Sequence, residues 1–379
     1  MSLRHAEMQG LGPGSSEEAV EGADGVPVSA GRCAGGRSAA GARIAAWVSV
    51  SCAVVSLLLV AASLLWFTLV DGTPPSVLPP AGEVLSAGVP FAFAVMGDNR
   101  KNGEVFENIL AAVKRSDARF VIHGGDLVHF CNPRQYRWLL HELEEAALPM
   151  PFCPVPGNHD IDEGLPTVAQ KYELYCRAFG PRRYWFACGN ALFVAFDDAA
   201  GEARPDELAW LEQTLSLHRG RYRACFVYMH VPPVDPRPDH ARRVGVGREE
   251  LVQILLRHHV SAVFASHIHA YVEASVEGIP VYITGGAGAD LDDPETQFHY
   301  VLCTVEADGS LKVQKVDVPA LRDADNLEYL CRTEISGGRL LALALVAAVL
   351  SLATGLVARR GRDVNSPGGS DCRGFGGAR

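Results

Sequence analysis

The chain has 379 residues and a formal net charge of −10, with 34 Lys and Arg against 44 Asp and Glu. This length suffices for one large domain with appendages or for two small domains. The acidic balance, without a long basic stretch, argues against a broad nucleic-acid-binding surface, and we expect no nucleic acid partner. A local phosphate site stays open, because bound metal ions can supply positive charge.

Two apolar runs flank the middle of the chain. Residues 44–70 are nearly free of charge and long enough to span a bilayer, and residues 340–357 reach about the minimum spanning length. Both are predicted transmembrane helices. A signal peptide is the alternative for the first run, but the run is long and follows a long leader. A buried core helix is the alternative for the second run.

Charges around the two runs predict their orientation. Basic residues precede the first run and follow the second: Arg32, Arg37, Arg43, Arg359, Arg360 and Arg362. Acidic residues follow the first run and precede the second, among them Asp71, Glu83, Asp323 and Glu334. The positive-inside rule then predicts a two-pass membrane protein with both termini in the cytoplasm and the middle domain outside it.

Composition divides the rest of the chain. Residues 1–43 are rich in Gly, Ala and Ser and are predicted to be a disordered cytoplasmic tail. Residues 71–88 form a Pro-rich linker. A folded domain is predicted over 89–319, a second linker over 320–339 and a second cytoplasmic tail over 358–379.

Seven cysteines lie between the two apolar runs. Two of them, Cys225 and Cys303, lie in strand patterns and are predicted to be buried thiols. Four others are candidates for disulfide bonds in an oxidising compartment: Cys131, Cys153, Cys176 and Cys188. The pairing cannot be read from sequence.

Hydrophobic periodicity predicts alternating strands and helices through most of the domain. The predicted strands are 91–96, 119–123, 151–155, 184–188, 191–196, 223–229 and 260–265, and the predicted helices are 104–115, 133–147, 167–178, 205–218 and 247–258. The final part contains strands only, at 270–276, 279–284, 299–306 and 310–318, with a hairpin turn at Asp308-Gly309. Two packed sheets covered by helices accommodate this order.

Polar, metal-capable side chains follow five of these strands. They are Asp98, Asp126, Asn158, His230 and the pair His267 and His269. Ligand sites of open α/β sheets form at the carboxyl ends of strands, so these side chains are expected to meet. One such ending has little weight by itself, but five in order indicate a metal centre.

The motifs resemble the signature of calcineurin-like metallophosphoesterases over about residues 91–318. They read Gly97-Asp98-Asn99-Arg100, Gly125-Asp126, Gly157-Asn158-His159-Asp160, His230 and Ser266-His267-Ile268-His269. The resemblance implies an α/β fold, a four-layer αββα sandwich of two mixed β-sheets flanked by helices. It also implies hydrolysis of phosphomono- or diesters by a hydroxide that bridges two divalent ions, for which mixed N/O ligands suit Mn, Fe or Zn.

The resemblance also implies a role for each motif residue. Asp126 would bridge the two ions. Asn158, His230 and His267 would complete the second metal site, and Asp98 and His269 would hold the first. His159 would act as general acid at the leaving group, and Asp160 would hold its ring or cap the next helix.

Position 100 departs from the family, which has a metal-binding histidine there. Arg100 cannot coordinate a metal, and is expected either to bind the substrate phosphate or to form a surface salt bridge. His129 is the predicted replacement, since a tyrosine at that offset ligates the first metal in purple acid phosphatases. The alternatives are that His129 orients His159, as an aspartate does in protein serine/threonine phosphatases, or that it is an ordinary loop residue.

Two further features bear on the site. Ser266 stands where the family has glycine and is the next smallest side chain. The run Gly285-Gly286-Ala287-Gly288 either lines the site, as in the family, or forms a flexible loop.

Two readings of function follow. The leading one is a membrane-tethered phosphoesterase acting outside the cytoplasm. Its tether would favour a lipid phosphate or a cell-envelope metabolite as substrate. The rival is a non-catalytic metal-binding or interaction protein that keeps the fold, which the substitution at Arg100 motivates and the retained His159 opposes.

Overall fold

The computed structural model describes residues 44, 47, 48, 50–58, 61, 82–100, 102–237, 242–293, 295–319, 346, 348 and 349. The predicted spans 44–70 and 340–357, the tails and the second linker lie mostly or wholly outside these residues. Residues 50–58 are helical. In the part of the chain so described, no helix is both long and apolar enough to cross a bilayer. Membrane insertion therefore stays a prediction.

The strands and helices of the domain follow the predicted order closely. The strands are β1 (Val84–Leu85), β2 (Phe91–Met96), β3 (Ala118–His123), β4 (Phe152–Pro154), β5 (Tyr184–Cys188), β6 (Ala191–Ala195), β7 (Ala224–Tyr228), β8 (Ala262–Ala265), β9 (Tyr271–Val276), β10 (Ile279–Thr284), β11 (His299–Val305) and β12 (Leu311–Asp317). The helices are α1 (Gly103–Lys114), α2 (Pro133–Ala146), α3 (Val168–Lys171), α4 (Glu173–Phe179), α5 (Pro205–His218) and α6 (Arg248–Arg257).

These strands form two mixed sheets. The five-stranded sheet has the order β12-β11-β2-β3-β4, and the seven-stranded sheet has the order β1-β5-β6-β7-β8-β10-β9. Strands β2, β3 and β4 run parallel, as do β6, β7 and β8, so their carboxyl ends lie at one edge of each sheet. The predicted α/β fold with two mixed sheets flanked by helices is confirmed.

Three apolar cores separate the layers. One core joins α1, α2 and α4 to the five-stranded sheet, and another joins α5 and α6 to the seven-stranded sheet. The third lies between the sheets, where the rings of Phe93, Phe120 and Phe193 pack with centroids 4.9–5.2 Å apart. Replacing one such ring by alanine typically lowers the free energy of unfolding by about 3–5 kcal/mol. This packed core therefore fixes the position of one sheet edge relative to the other.

Helices α1 and α2 begin at side-chain caps directly after the site loops. Asn102 accepts a hydrogen bond from the backbone N–H of Val105, and Asn132 accepts from those of Arg134 and Gln135. An asparagine cap satisfies backbone donors that a helix start leaves free. Each cap therefore fixes where a loop carrying site residues ends.

Two segments differ from the prediction. The predicted helix 167–178 breaks at Tyr172 into α3 and α4, and the Tyr172 hydroxyl donates to Asp197, 3.1 Å away. Strand β1 lies inside the predicted Pro-rich linker and pairs in parallel with β5. Both differences depend on partners distant in sequence, which local periodicity does not reveal.

The described cysteines are free thiols. Cys225 and Cys303 are fully buried, as predicted. The four disulfide candidates Cys131, Cys153, Cys176 and Cys188 form no disulfide in the structure, and Cys153 and Cys188 lie in the core between the sheets. Cys331 lies outside the described residues.

Candidate active site

The predicted site residues converge where the carboxyl ends of the two sheets meet. Asp98 follows β2, Asp126 follows β3, His230 follows β7 and His267 follows β8. Three of these residues have left-handed backbone conformations, with φ of 59° at Asp98, 56° at Asp126 and 66° at His267. Such φ values are uncommon for residues other than glycine and often mark functional sites. At His267 this turn breaks the strand alternation that would point His267 and His269 in opposite directions.

The site has two halves, one for each predicted metal ion. The second half consists of Asn158, His230, His267 and the Oδ1 atom of Asp126. The Nε2 atom of His230 lies 3.0 Å from Asn158 Oδ1, 3.1 Å from His267 Nδ1 and 3.4 Å from Asp126 Oδ1. His230 Nδ1 lies 2.8 Å from the Gly124 carbonyl oxygen, which can only accept, so Nδ1 carries a proton, and in the neutral ring the Nε2 lone pair faces the cluster. Potential metal-ligand atoms therefore converge here: a carboxylate oxygen, an amide oxygen and two ring nitrogens.

The first half of the site consists of Asp98, His269, Arg100 and the Oδ2 atom of Asp126. One ligand atom each from Asp98, Asp126 and His269 lies within 4.8 Å of the others, and all three residues are buried. Asp98 Oδ1 and Asp126 Oδ2 accept no hydrogen bond from any described residue. The guanidinium of Arg100 borders the group, with NH1 3.5 Å from Asp126 Oδ2 and NH2 3.0 Å from His269 Nε2.

The ligand atoms of both halves suit a metal ion, but only the first half already has a positively charged side chain beside it. In the second half, lone pairs of nitrogen and oxygen face one another at about 3 Å, which is unfavourable unless a cation or a proton lies among them. That set fits a divalent ion with mixed N/O ligands. In the first half the carboxylates suit a cation equally well, but a cation of the chain is already beside them.

Two glycines let the two halves approach the loops that carry them. A Cβ atom at Gly157 would lie 2.3 Å from the Asp126 backbone nitrogen and 2.4 Å from Asp126 Oδ1. A Cβ atom at Gly285 would lie 2.4 Å from the Ile268 carbonyl oxygen and 2.8 Å from Asp98 Oδ2. The run 285–288 therefore lines the site, and it is tied down by hydrogen bonds from Ala287 N–H and Ala289 N–H to Gly97 and Asp98.

His159 lies beside the second half. Its backbone N–H donates to Asp126 Oδ1 at 2.9 Å, and its Nδ1 lies 2.6 Å from the carbonyl oxygen of His129. Since that carbonyl can only accept, Nδ1 carries a proton and Nε2 points away from it. Burial lowers the pKa of His159 from its ordinary value, while the Asp126 charge raises it.

His129 touches His159 by two different groups. Its carbonyl holds the ring of His159, and its own imidazole stacks on that ring with a centroid distance of 5.5 Å and an angle of 15°. The His129 imidazole is not a member of the Asp98, Asp126 and His269 group found among the described residues. The geometry thus favours the orienting alternative, through the backbone, over metal ligation.

Asp160 does not hold the ring of His159. Its two carboxylate oxygens accept hydrogen bonds from the backbone N–H groups of Val128 at 3.0 Å and Gly157 at 2.7 Å. Burial, and then the charge of Asp126, raise its pKa to about 7. The expectation of a catalytic contact is corrected: Asp160 joins the two loops that deliver Asp126 and Asn158.

Charge neutralisation keeps Asp126 ionised despite its burial. Burial alone would raise its pKa, but the charges of His230 and Arg100 lower it to about 2. A carboxylate so stabilised keeps its negative charge at every physiological pH. It can therefore hold a cation without first losing a proton.

Three positioning contacts have partners that the sequence did not reveal. Asp198 accepts the backbone N–H groups of His230 and Val231 at 2.8 and 3.0 Å, and the Asp290 carbonyl oxygen lies 2.7 Å from His269 Nδ1. Ser266 donates to the Thr284 carbonyl. A carbonyl belongs to every residue type, so only the structure identifies which carbonyl orients a ring.

Comparison with known proteins agrees with this geometry. The calcineurin-like phosphoesterase family matches residues 91–271. Serine/threonine-protein phosphatase CPPED1 of Rattus norvegicus is 25% identical over 205 residues, which cover 50% of this chain and 65% of that protein. A Fibrobacter succinogenes protein named "Probable cyclic nucleotide phosphodiesterase" is 24% identical over 207 residues, covering 52% and 76%.

The fold has a solved counterpart in purple acid phosphatase PPD1 from yellow lupin (Lupinus luteus) seeds. The two align with a TM-score of 0.51 and 16% identity over 60% of this chain and 52% of that chain. The present chain covers less than two thirds of the length of CPPED1. Residues 91–271, which carry all of the predicted metal-binding residues, are thus similar to the calcineurin-like phosphoesterase family.

Proposed function

We propose that the chain is a metal-dependent phosphoesterase. The observation that carries this proposal is the convergence of potential metal-ligand atoms from Asp126, Asn158, His230 and His267 beside His159. The names of the relatives, a phosphatase and a phosphodiesterase, support the same reaction class without choosing between monoesters and diesters.

The side chains divide the work of hydrolysis among them. Asp126, Asn158, His230 and His267 would hold a divalent ion, which when bound polarises the phosphate and makes water more acidic. Nδ1 of His159 is held by the His129 carbonyl, so Nε2 is the ring nitrogen that, when protonated, would give a proton to the leaving oxygen. Arg100 pairs with buried Asp126 rather than with a surface carboxylate, so its positive charge lies inside the site.

The test is hydrolysis by the full chain of aryl phosphate mono- and diesters, with Mn²⁺ added and after chelation. We expect turnover that depends on Mn²⁺ and falls in the His159→Ala variant. The matched control is His141→Ala, which removes a half-exposed histidine on α2 paired with Glu145. Metal-independent turnover, or turnover that both variants keep, would contradict the proposal.

A non-catalytic metal-binding protein is the second candidate. The guanidinium among the first-half donors favours it, since a charge of the chain already satisfies part of the site. Bound metal without hydrolysis of either ester class would decide for this candidate.

We also propose the membrane arrangement predicted from sequence, with the domain outside the cytoplasm. Two features of the sequence support it. The runs at 44–70 and 340–357 are apolar, and basic residues precede the first run and follow the second. A reporter fused after Arg379 is expected to report the cytoplasm, and one inserted within 71–88 the outside. The opposite pattern, or a cytoplasmic signal from both, would reject the arrangement.

A substrate close to the bilayer follows from that arrangement. Vesicles containing phosphatidic acid and a soluble phosphomonoester, each supplied to the full chain with Mn²⁺, separate a lipid phosphate from a soluble metabolite. We expect faster release of phosphate from the vesicles, and equal or faster release from the soluble ester would argue for a metabolite.

A further inference from the structure

The first half of the site already contains a cation. Arg100 is permanently charged, and its two terminal nitrogens face the two groups that would share an ion there, Asp126 Oδ2 at 3.5 Å and His269 Nε2 at 3.0 Å. Asp98 Oδ1 completes the group 3.4 Å from the same His269 nitrogen. The carboxylates of a would-be metal site are therefore beside a guanidinium that belongs to the chain.

The His269 ring shows why this matters for a metal. Its Nδ1 lies 2.7 Å from the carbonyl oxygen of Asp290, so the Nδ1–H group donates a hydrogen bond to that oxygen. Its Nε2 then faces an Arg100 nitrogen that can only donate, so the Nε2 lone pair accepts from Arg100. A ring nitrogen has a single lone pair, and it cannot accept this hydrogen bond and ligate a metal together.

The second half has the opposite character. Around His230 Nε2 the neighbours are an amide oxygen, a ring nitrogen and a carboxylate oxygen, at 3.0, 3.1 and 3.4 Å. No arginine or lysine of the described residues is among the recorded hydrogen-bond or ion-pair partners of Asn158, His230 or His267 side chains. An ion from solution can take these lone pairs when the neutral His267 ring carries its proton on Nε2.

We propose that Arg100 replaces the first metal ion, so that the chain binds one divalent ion per molecule, in the second half. This inference deepens the proposed function but is read from metal content, not from turnover. One bound ion without hydrolysis would leave it standing and reject the proposed function.

The experiment uses the full chain, stripped with a chelator, reloaded with Mn²⁺ and desalted. Elemental analysis gives the Mn content per chain, and electron paramagnetic resonance distinguishes an isolated Mn²⁺ from a coupled pair. We expect one Mn per chain with the spectrum of an isolated ion. Two Mn per chain, a coupled pair, or no retained Mn would each overturn the inference.

Two substitutions at one position sharpen the result. Arg100→His offers a ligand in place of the guanidinium and is expected to raise the content to two Mn with a coupled spectrum. Arg100→Lys keeps the charge and is expected to stay at one. A single Mn in Arg100→His, or two in Arg100→Lys, would show that the guanidinium is not what excludes the second ion.

A second pair keeps the inference testable if Arg100→His does not fold. With Arg100 in place, Asn158→Ala is expected to reduce Mn content by more than about tenfold, since even outer-shell changes cost about 10–100-fold in affinity. Asp98→Asn is expected to keep one Mn, because the amide oxygen can still accept the His267 N–H that Asp98 Oδ2 accepts now at 2.9 Å. The reverse pattern would place the ion in the first half and overturn the inference.

Discussion

The two halves of the site are built from similar residues, but a positively charged side chain borders the ligand atoms in the first half only. In each half, residues that follow strands supply the metal-ligand atoms. The two halves share Asp126, whose Oδ1 faces His230 and whose Oδ2 faces Arg100. In the first half the Arg100 guanidinium borders the ligand atoms, and in the second half the ligand atoms border one another. One residue at the end of β2 thus decides whether a set of carboxylates needs an ion from solution.

Asp126→Asn attacks the residue that the two halves share, and we expect the largest effect from it. The amide removes the negative charge that faces both His230 and Arg100. Mn content should fall to near zero and turnover by at least about 1000-fold, which corresponds to several kcal/mol of charge stabilisation. Elemental analysis and ester hydrolysis measure both. Asp162→Asn, on an exposed loop, is the control. Retention of one Mn per chain by Asp126→Asn would remove Asp126 from the second half.

His159→Ala separates proton transfer from metal binding in the second half. We expect turnover to fall by about 100-fold or more, the usual range for a general acid. Mn content should stay at the wild-type value, because none of the recorded contacts of the His159 ring is with Asn158, His230 or His267. A loss of Mn together with activity would instead make the ring part of the metal-binding set.

His299 tests the support beneath the first half. A Cβ atom at Gly286 would lie 2.1 Å from the fully buried His299 ring, so this ring backs the glycine turn beside Asp98. Burial lowers the pKa of His299 from 6.5 to about 4. Between those values the unfolded chain binds a proton that the folded chain does not, so stability falls as the pH falls through this window and the loss levels off below it.

The free energy of unfolding of wild type and His299→Phe, measured from pH 7 to pH 4, gives the size of this effect. We expect the wild type to lose on the order of 3 kcal/mol more than the variant over that range. His141→Phe, the same change at a half-exposed ring, should leave the wild-type pH dependence intact. Parallel curves for wild type and His299→Phe would mean that His299 does not titrate with folding.

His129→Ala should have the smallest effect. The carbonyl that holds His159 survives the substitution, and the ring stacked on His159 is lost, a contact worth about 1 kcal/mol. Turnover should fall by less than about tenfold, and Mn content should not change. Steady-state kinetics and elemental analysis decide this. A loss of Mn would return the imidazole to the first half as a ligand, as the sequence first predicted.

The regular elements were predictable to within about two residues because each carries its own periodic pattern. Helix α5 (Pro205–His218) and strands β2, β5 and β10 have the predicted bounds, and the Asp308-Gly309 hairpin forms between β11 and β12. The break at Tyr172 and the strand at Val84–Leu85 were missed. Their partners, Asp197 and β5, lie far along the chain, so no local pattern contains them.

The sequence by itself determined which side chains reach the site. A buried strand that is followed by a polar, metal-capable residue places that residue at the sheet edge, and this was enough to name Asp98, Asp126, Asn158, His230, His267 and His269. The resemblance to the family signature, and not the strand pattern, showed that Arg100 stands where a ligand is expected. Spacing and residue type carry that information without any contact being known.

Only the tertiary structure decided what each of those groups faces. It placed the Arg100 guanidinium against Asp126 and His269, gave the His159 ring to the His129 carbonyl, and used Asp160 to join two loops. The physical reason is that a hydrogen bond depends on direction and on distances of about 3 Å. Residue order along a strand does not set such distances between loops from two different sheets, whereas the packed core between the sheets does.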